Sequence, residues 1–377
     1  MSVAHFKISL DGKPLPEPLR ALLIRVELRE SDCEASVAAL RFRVAQQPTG
    51  EVYPLDEELF RPLARLAVAL GAPQGPLEHL FAGYITHVRP HFEEIASACY
   101  VEVLAMDAAV LLEAHERVAA YPDATDAEAV EDVFRRYGIP LTTERTPARY
   151  EERRQLLVQR GTDWAFIRQL ARRNGYCCYL EPEPLSGKVS AYFRPRALEG
   201  SPQADLAALH AQAHLRWVDL QRVDTRPVRY AGASVDPIAK RLLRTEGTPS
   251  FKALGKTLVA DQVEDGLSAA GVSETGGLLR EPPTLDAVLQ AAGTAATDEA
   301  GLALEARGEV DCARWRGLLR ARRTVLLKGV GKTFAGTYYV CTVRTTLEEG
   351  VLLQSFVALR NATGLSGRES FGKENAS

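Results

Sequence analysis

Residues 65–71 read Arg65-Leu66-Ala67-Val68-Ala69-Leu70-Gly71 and lead into Phe81-Ala82-Gly83-Tyr84-Ile85; residues 323–329 read Arg323-Thr324-Val325-Leu326-Leu327-Lys328-Gly329 and lead into Phe334-Ala335-Gly336-Thr337-Tyr338-Tyr339-Val340. Each stretch is an apolar strand, a glycine turn, Phe-Ala-Gly and a second strand. A glycine in such a place lets a strand bend sharply or lets another backbone approach closely, as barrel corners require. The tripeptide alone recurs by chance between ordinary hairpins. With matched strands on both sides, the pattern predicts a duplicated barrel, one copy near each end of the chain.

Around the first copy, Ile24, Val26 and Leu28 alternate with Arg25, Glu27 and Arg29, and Leu40, Phe42 and Val44 alternate with Arg41 and Arg43. Residues 80–88 and 99–106 continue the pattern. Period-two apolarity in short segments broken by Pro- and Gly-containing turns marks half-buried antiparallel strands. Five or more in succession suggest a small barrel or sandwich. Around the second copy, strands are expected at 214–223, 227–234, 302–306, 324–327, 337–343 and 351–359. The last two form a hairpin closed at Glu348-Glu349-Gly350.

The pattern differs in between. Thr125-Asp126-Ala127-Glu128 is a capping box, and Val130, Val133, Phe134 and Tyr137 share one helical face. Gly138 ends that helix and Pro140 prevents its resumption. Thr162 caps a second helix with the stripe Trp164, Ile167, Leu170, Ala171, stopped at Asn174-Gly175. A hairpin follows around Pro184-Leu185-Ser186-Gly187. The expected fold class is therefore mainly β with α+β parts. Residues 1–112 form a first barrel and 113–200 an α+β domain; 201–245 with 301–362 form a second barrel. Residues 246–300 are an insertion, helical around 285–291, and 363–377 are a polar tail that frays. Residues 201–212 read as a linker with a short Ala-rich helix.

The formal charge of −3 gives no global basic field to recruit nucleic acid. The six cysteines contain no CxxC, and Cys177-Cys178 in a strand point to opposite faces, which favours reduced buried thiols in the cytosol. No stretch approaches the roughly 20 apolar residues of a membrane span, and residues 1–12 lack a signal-peptide core.

Motifs for catalysis fail on spacing. Gly329-Val330-Gly331-Lys332-Thr333 lacks the earlier glycine of a phosphate loop, because position 326 is Leu. His87 and His91 are separated by Pro90 at a strand end and share no helical face. Gly-x-Ser-x-Gly is absent. No catalytic, cofactor-binding or metal-binding residue is assigned, and a paired-carboxylate site has no sequence signature of its own. The candidates left are structural or interfacial: Phe81, Gly83, Trp164, Arg314, Arg316, Phe334, Gly336 and Tyr338. The basic run from Arg314 to Arg323 is either an exposed stretch beside a strand or a positive surface for an acidic partner or a lumen. Trp164 reads as a core anchor. Of Tyr338 and Tyr339, one faces the core and the other an interface or water.

The ordered series Leu80-Phe81-Ala82-Gly83-Tyr84-Ile85, Ala105-Met106-Asp107, Tyr137-Gly138, Gln155, Thr162-Asp163-Trp164-Ala165-Phe166, Leu170-Ala171, Gly175, Gly329, Gly331, Phe334, Gly336, Tyr338-Tyr339-Val340 and Leu359-Arg360-Asn361 resembles the phage late control protein D family. That family is similar to the central hub of contractile tails and to the N-terminal part of type VI secretion spike (VgrG) proteins. Members often carry a His after the last Tyr-Val strand, where Arg344 stands here. The resemblance implies two tube-protein-like barrels per chain and a non-enzymatic homotrimer. Its partners would be a separate spike protein, an inner tube protein and other baseplate proteins, with no cofactor, nucleic acid or membrane. Such a chain assembles in the cytoplasm and ends in a phage tail or injection particle. Competing readings are a baseplate-associated peptidoglycan hydrolase and a carbohydrate- or effector-binding β-module.

Overall fold

The computed structural model describes residues 4–46, 50–56, 58–153, 155–209, 213–272 and 276–367. Its main sheet has thirteen strands, one of them the two-residue Lys13–Pro14. The other twelve are β1 (His5–Leu10), β2 (Leu23–Ser31), β3 (Val37–Arg43), β4 (Arg65–Gly71), β5 (Glu78–His91), β6 (Tyr100–Asp107), β7 (Asp205–Ala207), β8 (Leu215–Arg222), β9 (Leu304–Asp311), β10 (Arg323–Lys328), β11 (Gly336–Glu348) and β12 (Val351–Arg360).

The first six lie side by side in the order β1-β4-β5-β6-β3-β2, and the last six in the order β7-β10-β11-β12-β9-β8. The two orders coincide when each strand is matched to the one six places later. Two pairs of irregularities coincide as well, while the one at Leu80, where β5 meets β4, has no counterpart between β11 and β10. A bulge at Ile24 interrupts β2 against β3, and one at Arg216 interrupts β8 against β9. A bulge at Thr86 interrupts β5 against β6, and one at Cys341 interrupts β11 against β12. Bulges re-aim a strand and increase its twist, so their recurrence at matching places is a structural repeat. The first strands differ: β1 runs antiparallel to β4, while β7 runs parallel to β10.

The mainly β, antiparallel architecture is the one expected, but two details of the duplication differ. Three residues before the β5 bulge stands Gly83, and three before the β11 bulge stands Tyr338. The Phe-Ala-Gly echo therefore pairs the halves two positions out of register, and the repeat is carried by topology. Moreover, strand pairing among the described residues closes no ring. Residues 336–340 of β11 pair with β10, and beyond the bulge Thr342–Glu348 pair with β2 on that same side. One long strand thus fuses the halves into a single open sheet where two separate barrels were expected.

Each half has a core of its own, although Cys312, Leu347 and Leu352 of the second half pack into the first. Val26, Leu40, Phe42, Val68, Phe81 and Val103 fill the first, and Leu304, Val325, Leu327, Tyr338, Val340 and Phe356 fill the second. Burial of such side chains contributes roughly 1.5–3 kcal/mol apiece. The middle unit packs Trp164, Ile167 and Leu170 of one helix on Val130, Val133 and Phe134 of another. The helices are α1 (Asp126–Arg136) and α2 (Asp163–Asn174). Thr125 and Glu128 form the capping box, Thr162 caps α2, and Gly175 ends it at φ 68°. The hairpin Tyr176–Pro182 with Val189–Pro195 follows.

The second half departs most from expectation. Residues 205–207 are strand β7, not helix, because Leu206 is drawn into the second core. Tyr230–Asp236 leaves the main sheet to pair with Arg241–Glu246 and Gly277–Leu278. The insertion holds α3 (Val259–Ala269) and a long α4 (Asp286–Gly301). Order continues past Asn361: Ala362–Thr363 pairs with Thr257–Leu258. The fraying expected for 368–377, like residues 210–212 of the expected linker, lies outside the described residues.

Candidate functional site

The seam between the halves is the most distinctive surface. Opposite one another stand Thr342 and Ser31, Val343 and Glu30, Arg344 and Arg29, Thr346 and Glu27, and Glu348 and Arg25. Charges cross it, one pair diagonal and one directly opposite: Arg344 Nε lies 3.4 Å from Glu27 Oε1, and Arg25 Nη1 lies 3.8 Å from Glu348 Oε2. These pairs are partly exposed and each contributes under about 1 kcal/mol, so they set register more than stability.

The repeat leaves two matching edges uncovered. Among the described residues, the stretch 87–91 of β5 beyond its bulge pairs with β6 only, and β8 at the end of the sheet pairs with β9 only. Exposed apolar side chains sit on or beside both: Val88, Phe92 and Ile95 at the first, and Trp217 (48% exposed) at the second. Unpaired strand edges are templates for another chain.

Behind the seam lies a buried charge cluster. Arg320 Nε and Arg322 Nη2 each donate to Glu30 Oε1 at 3.0 Å. Arg320 Nη2 also donates to Glu181 Oε1 at 3.1 Å, and Arg322 Nη1 donates to the Ser31 carbonyl at 2.9 Å. The Arg322 guanidinium stacks 4.4 Å over the Tyr179 ring. Arg320 and Arg322 are 1% and 4% exposed. Asp107 is close enough for Arg322 to pull its pKa down, yet burial dominates and pushes it up to about 6.

A second cluster joins the first half to the hairpin. Cys33 Sγ and Cys177 Sγ lie 3.7 Å apart, and Cys177 Sγ is 3.6 Å from Asp32 Oδ2. The hydrogen bond with Cys33, together with burial, raises the Cys177 thiol well above its ordinary value. These three groups have the donor types of a soft-metal site, but Arg196 Nε already donates to Asp32 Oδ2 at 2.8 Å and neutralises it. All six cysteines are unbridged, and Cys177 and Cys178 face opposite sides, toward Cys33 and the middle core respectively. A cavity of about 860 Å³ opens beside them between α2 and α4, lined by Arg168, Arg172, Tyr176, Leu285 and Val288 among others. Of the carboxylates that line it, Asp298 is engaged by the Ser250 and Phe251 N–H groups and Glu299 by Arg196, and Glu281 is a third.

The residues singled out from sequence do not form one site. Phe81 lies in the first core, Trp164 in the middle core and Tyr338 in the second. Gly83 is backed by the Met106 carbonyl and Gly336 by the Arg360 guanidinium. Phe334 packs on the second core from a short helical turn. Arg314 and Arg316 are exposed beside the Cys312–Trp315 turn. The basic run is thus split, since Arg320 and Arg322 are buried. Tyr338 and Tyr339 are both buried, because Leu198 and Leu254 of other segments cover the face of Tyr339. The two bare edges and the buried arginines were missed. The signal for the arginines was that they alternate with Leu319 and Ala321 just before β10.

Residues 1–199 match the family described as the Alg8 N-terminal domain. The chain belongs to that family. The Alg8 match takes in β1–β6, α1, α2 and the hairpin and stops short of β7. No curated protein matches the sequence. Among solved structures, this Alg8-family chain is similar to the 43 kDa tail protein of prophage MuSo2 from Shewanella oneidensis, with TM-score 0.65 and 12% identity over 95% of this chain and 98% of that one. It is similar to a tail protein from Neisseria meningitidis, with TM-score 0.63 and 11% identity over 95% and 96%. It also resembles an E. coli component of the type VI secretion system, described as similar to the T4 bacteriophage tail proteins gp27 and gp5. That likeness has TM-score 0.56 and 12% identity over 97% of this chain and 79% of the other. The Alg8-family chain therefore shares its fold with tail and type VI secretion proteins.

Proposed function

We propose that this chain is the structural hub of the baseplate of a contractile phage tail or related contractile injection system. It acts as a homotrimer that joins a hexameric inner tube to a trimeric spike. The observation that carries this reading is the six-strand repeat within one chain, with matching order and matching bulges. Three chains with two equivalent halves present six similar units around one axis while keeping threefold symmetry, and closed rings are the rule for homo-oligomers. The late control protein D assignment belongs to the same reading. So do the partners: copies of itself, the spike, the tube and other baseplate proteins. In it, 1–112 and the second-half strands form the two ring units. The middle unit and the insertion stand outside them, with Tyr230–Glu246 assigned to the insertion.

The test is native mass spectrometry of the full chain at micromolar concentration. The expected species is three copies. A stable monomer or dimer, or clearing of a cell-wall suspension by the purified chain, counts against the hub.

A further inference from the structure

Resting on that reading, we infer that β8 of one subunit adds to the bare stretch of β5 in the next, in the register that β2 and β11 use inside the chain. The partner is a second copy of this chain, and the contact repeats the internal seam.

The inference follows from equivalence. β5 corresponds to β11, and β8 corresponds to β2, by sheet order and by bulge. Inside the chain, the part of β11 beyond its bulge is covered by β2. The equivalent part of β5 is bare, and so is the outer edge of β8. Each molecule therefore carries one made joint and the two halves of an identical unmade one. Head-to-tail repetition covers both edges and leaves none over once the ring closes.

The bulges fix the register. Matching Thr86 to Cys341 and Arg216 to Ile24 places His87 opposite Val223, Val88 opposite Arg222, Arg89 opposite Gln221 and His91 opposite Asp219. The charges then agree. Arg344 and Glu27, which pair across the internal seam, are each the third residue after their bulge. The third residues after the corresponding bulges are Arg89 and Asp219. Among the described residues neither has an ion pair within its own chain. The second internal pair, Arg25 with Glu348, has Trp217 and Glu93 as its counterparts, so there an exposed indole replaces the guanidinium. Pro90 lacks an N–H and leaves the ladder around β5 one donor short, so the charge pair carries more of the register.

Two measurements on the full chain test this joint. Oxidation of V88C/R222C should give covalent multimers, with each single variant and the shifted pair V88C/L220C as controls. Arg89→Glu and Asp219→Arg should each weaken assembly by about tenfold across three joints, and the double exchange should restore it to within about threefold of the parent. Trimers that neither cross-link at this pair nor respond to the reversals overturn the joint and leave the hub standing. Cross-linked species of another stoichiometry support the joint and overturn the threefold reading. Monomers without cross-links overturn both.

Discussion

Asp107 ends β6 with its carboxylate accepting the N–H groups of Ser36 and Ala109 at 2.6 and 2.9 Å. These bonds favour the anion, but full burial outweighs them, and its pKa rises from 3.8 to about 6. A carboxyl with a raised folded pKa holds more protons folded than unfolded between those values. Stability from this group is therefore greatest below pH 4, falls as pH climbs toward 6, and stays lower above, by roughly 3 kcal/mol in total. Asp107→Asn should remove that slope. Urea midpoints at pH 4.5 and 7 should differ less in the variant than in the parent; parallel pH profiles would refute the assignment. Asp107 was visible in the sequence only as part of Ala105-Met106-Asp107. Its hydrogen-bond donor Ser36 and the nearby charge of Arg322 lie far from it in sequence, which local pattern does not convey.

At the scale of elements, β5 is held against β6 by the absence of a side chain at Gly83. A Cβ there would stand 2.1 Å from the Met106 carbonyl oxygen, an atom of the paired strand's backbone. Gly83→Ala should therefore cost about 1–3 kcal/mol in chemical denaturation. Gly266→Ala in α3, where a Cβ meets nothing within 4 Å, should gain about 0.4–1 kcal/mol. The same sign for both variants would sink this account. Elements with strong local signals were legible: the Thr125 box, the Thr162 cap and the alternation of β2 and β3. The helices of the insertion were legible only in part. Past Val288 and Leu289, α4 packs through small and polar residues, with Gly293, Thr297 and Asp298 buried, so no stripe of large apolar residues announces its length. Gly247 meets it so closely that a Cβ would lie 2.1 Å from the Gly293 carbonyl oxygen. The candidate seam was less legible still, since edge and interior strands alternate alike and only pairing tells them apart.

The whole molecule is tied together by the cluster of Glu30, Glu181, Arg320 and Arg322. Glu30 comes from β2 of the first half, Glu181 from the hairpin of the middle unit, and the arginines from the approach to β10 of the second. The sequence reading placed these arginines on the surface because their partner Glu30 is some 290 positions away. A buried ion cluster adds little net stability over apolar packing, but deleting one member leaves charges unpaired in low dielectric and costs about 3–5 kcal/mol. Glu30→Ala takes the shared acceptor from two guanidinium groups at once and leaves Glu181 as their one remaining carboxylate in the cluster. All three regions lose their common anchor, so the loss should appear both in global stability and in cooperativity. Unfolding of the parent should give coincident transitions by far-UV circular dichroism and by the fluorescence of Trp164, isolated by replacing Trp217 and Trp315 with Phe. In the Glu30→Ala background the midpoint should fall and the two signals should separate, because the middle unit keeps its own core around Trp164. Coincident curves within about 1 kcal/mol of the parent would show that the three regions are held together by apolar contact alone.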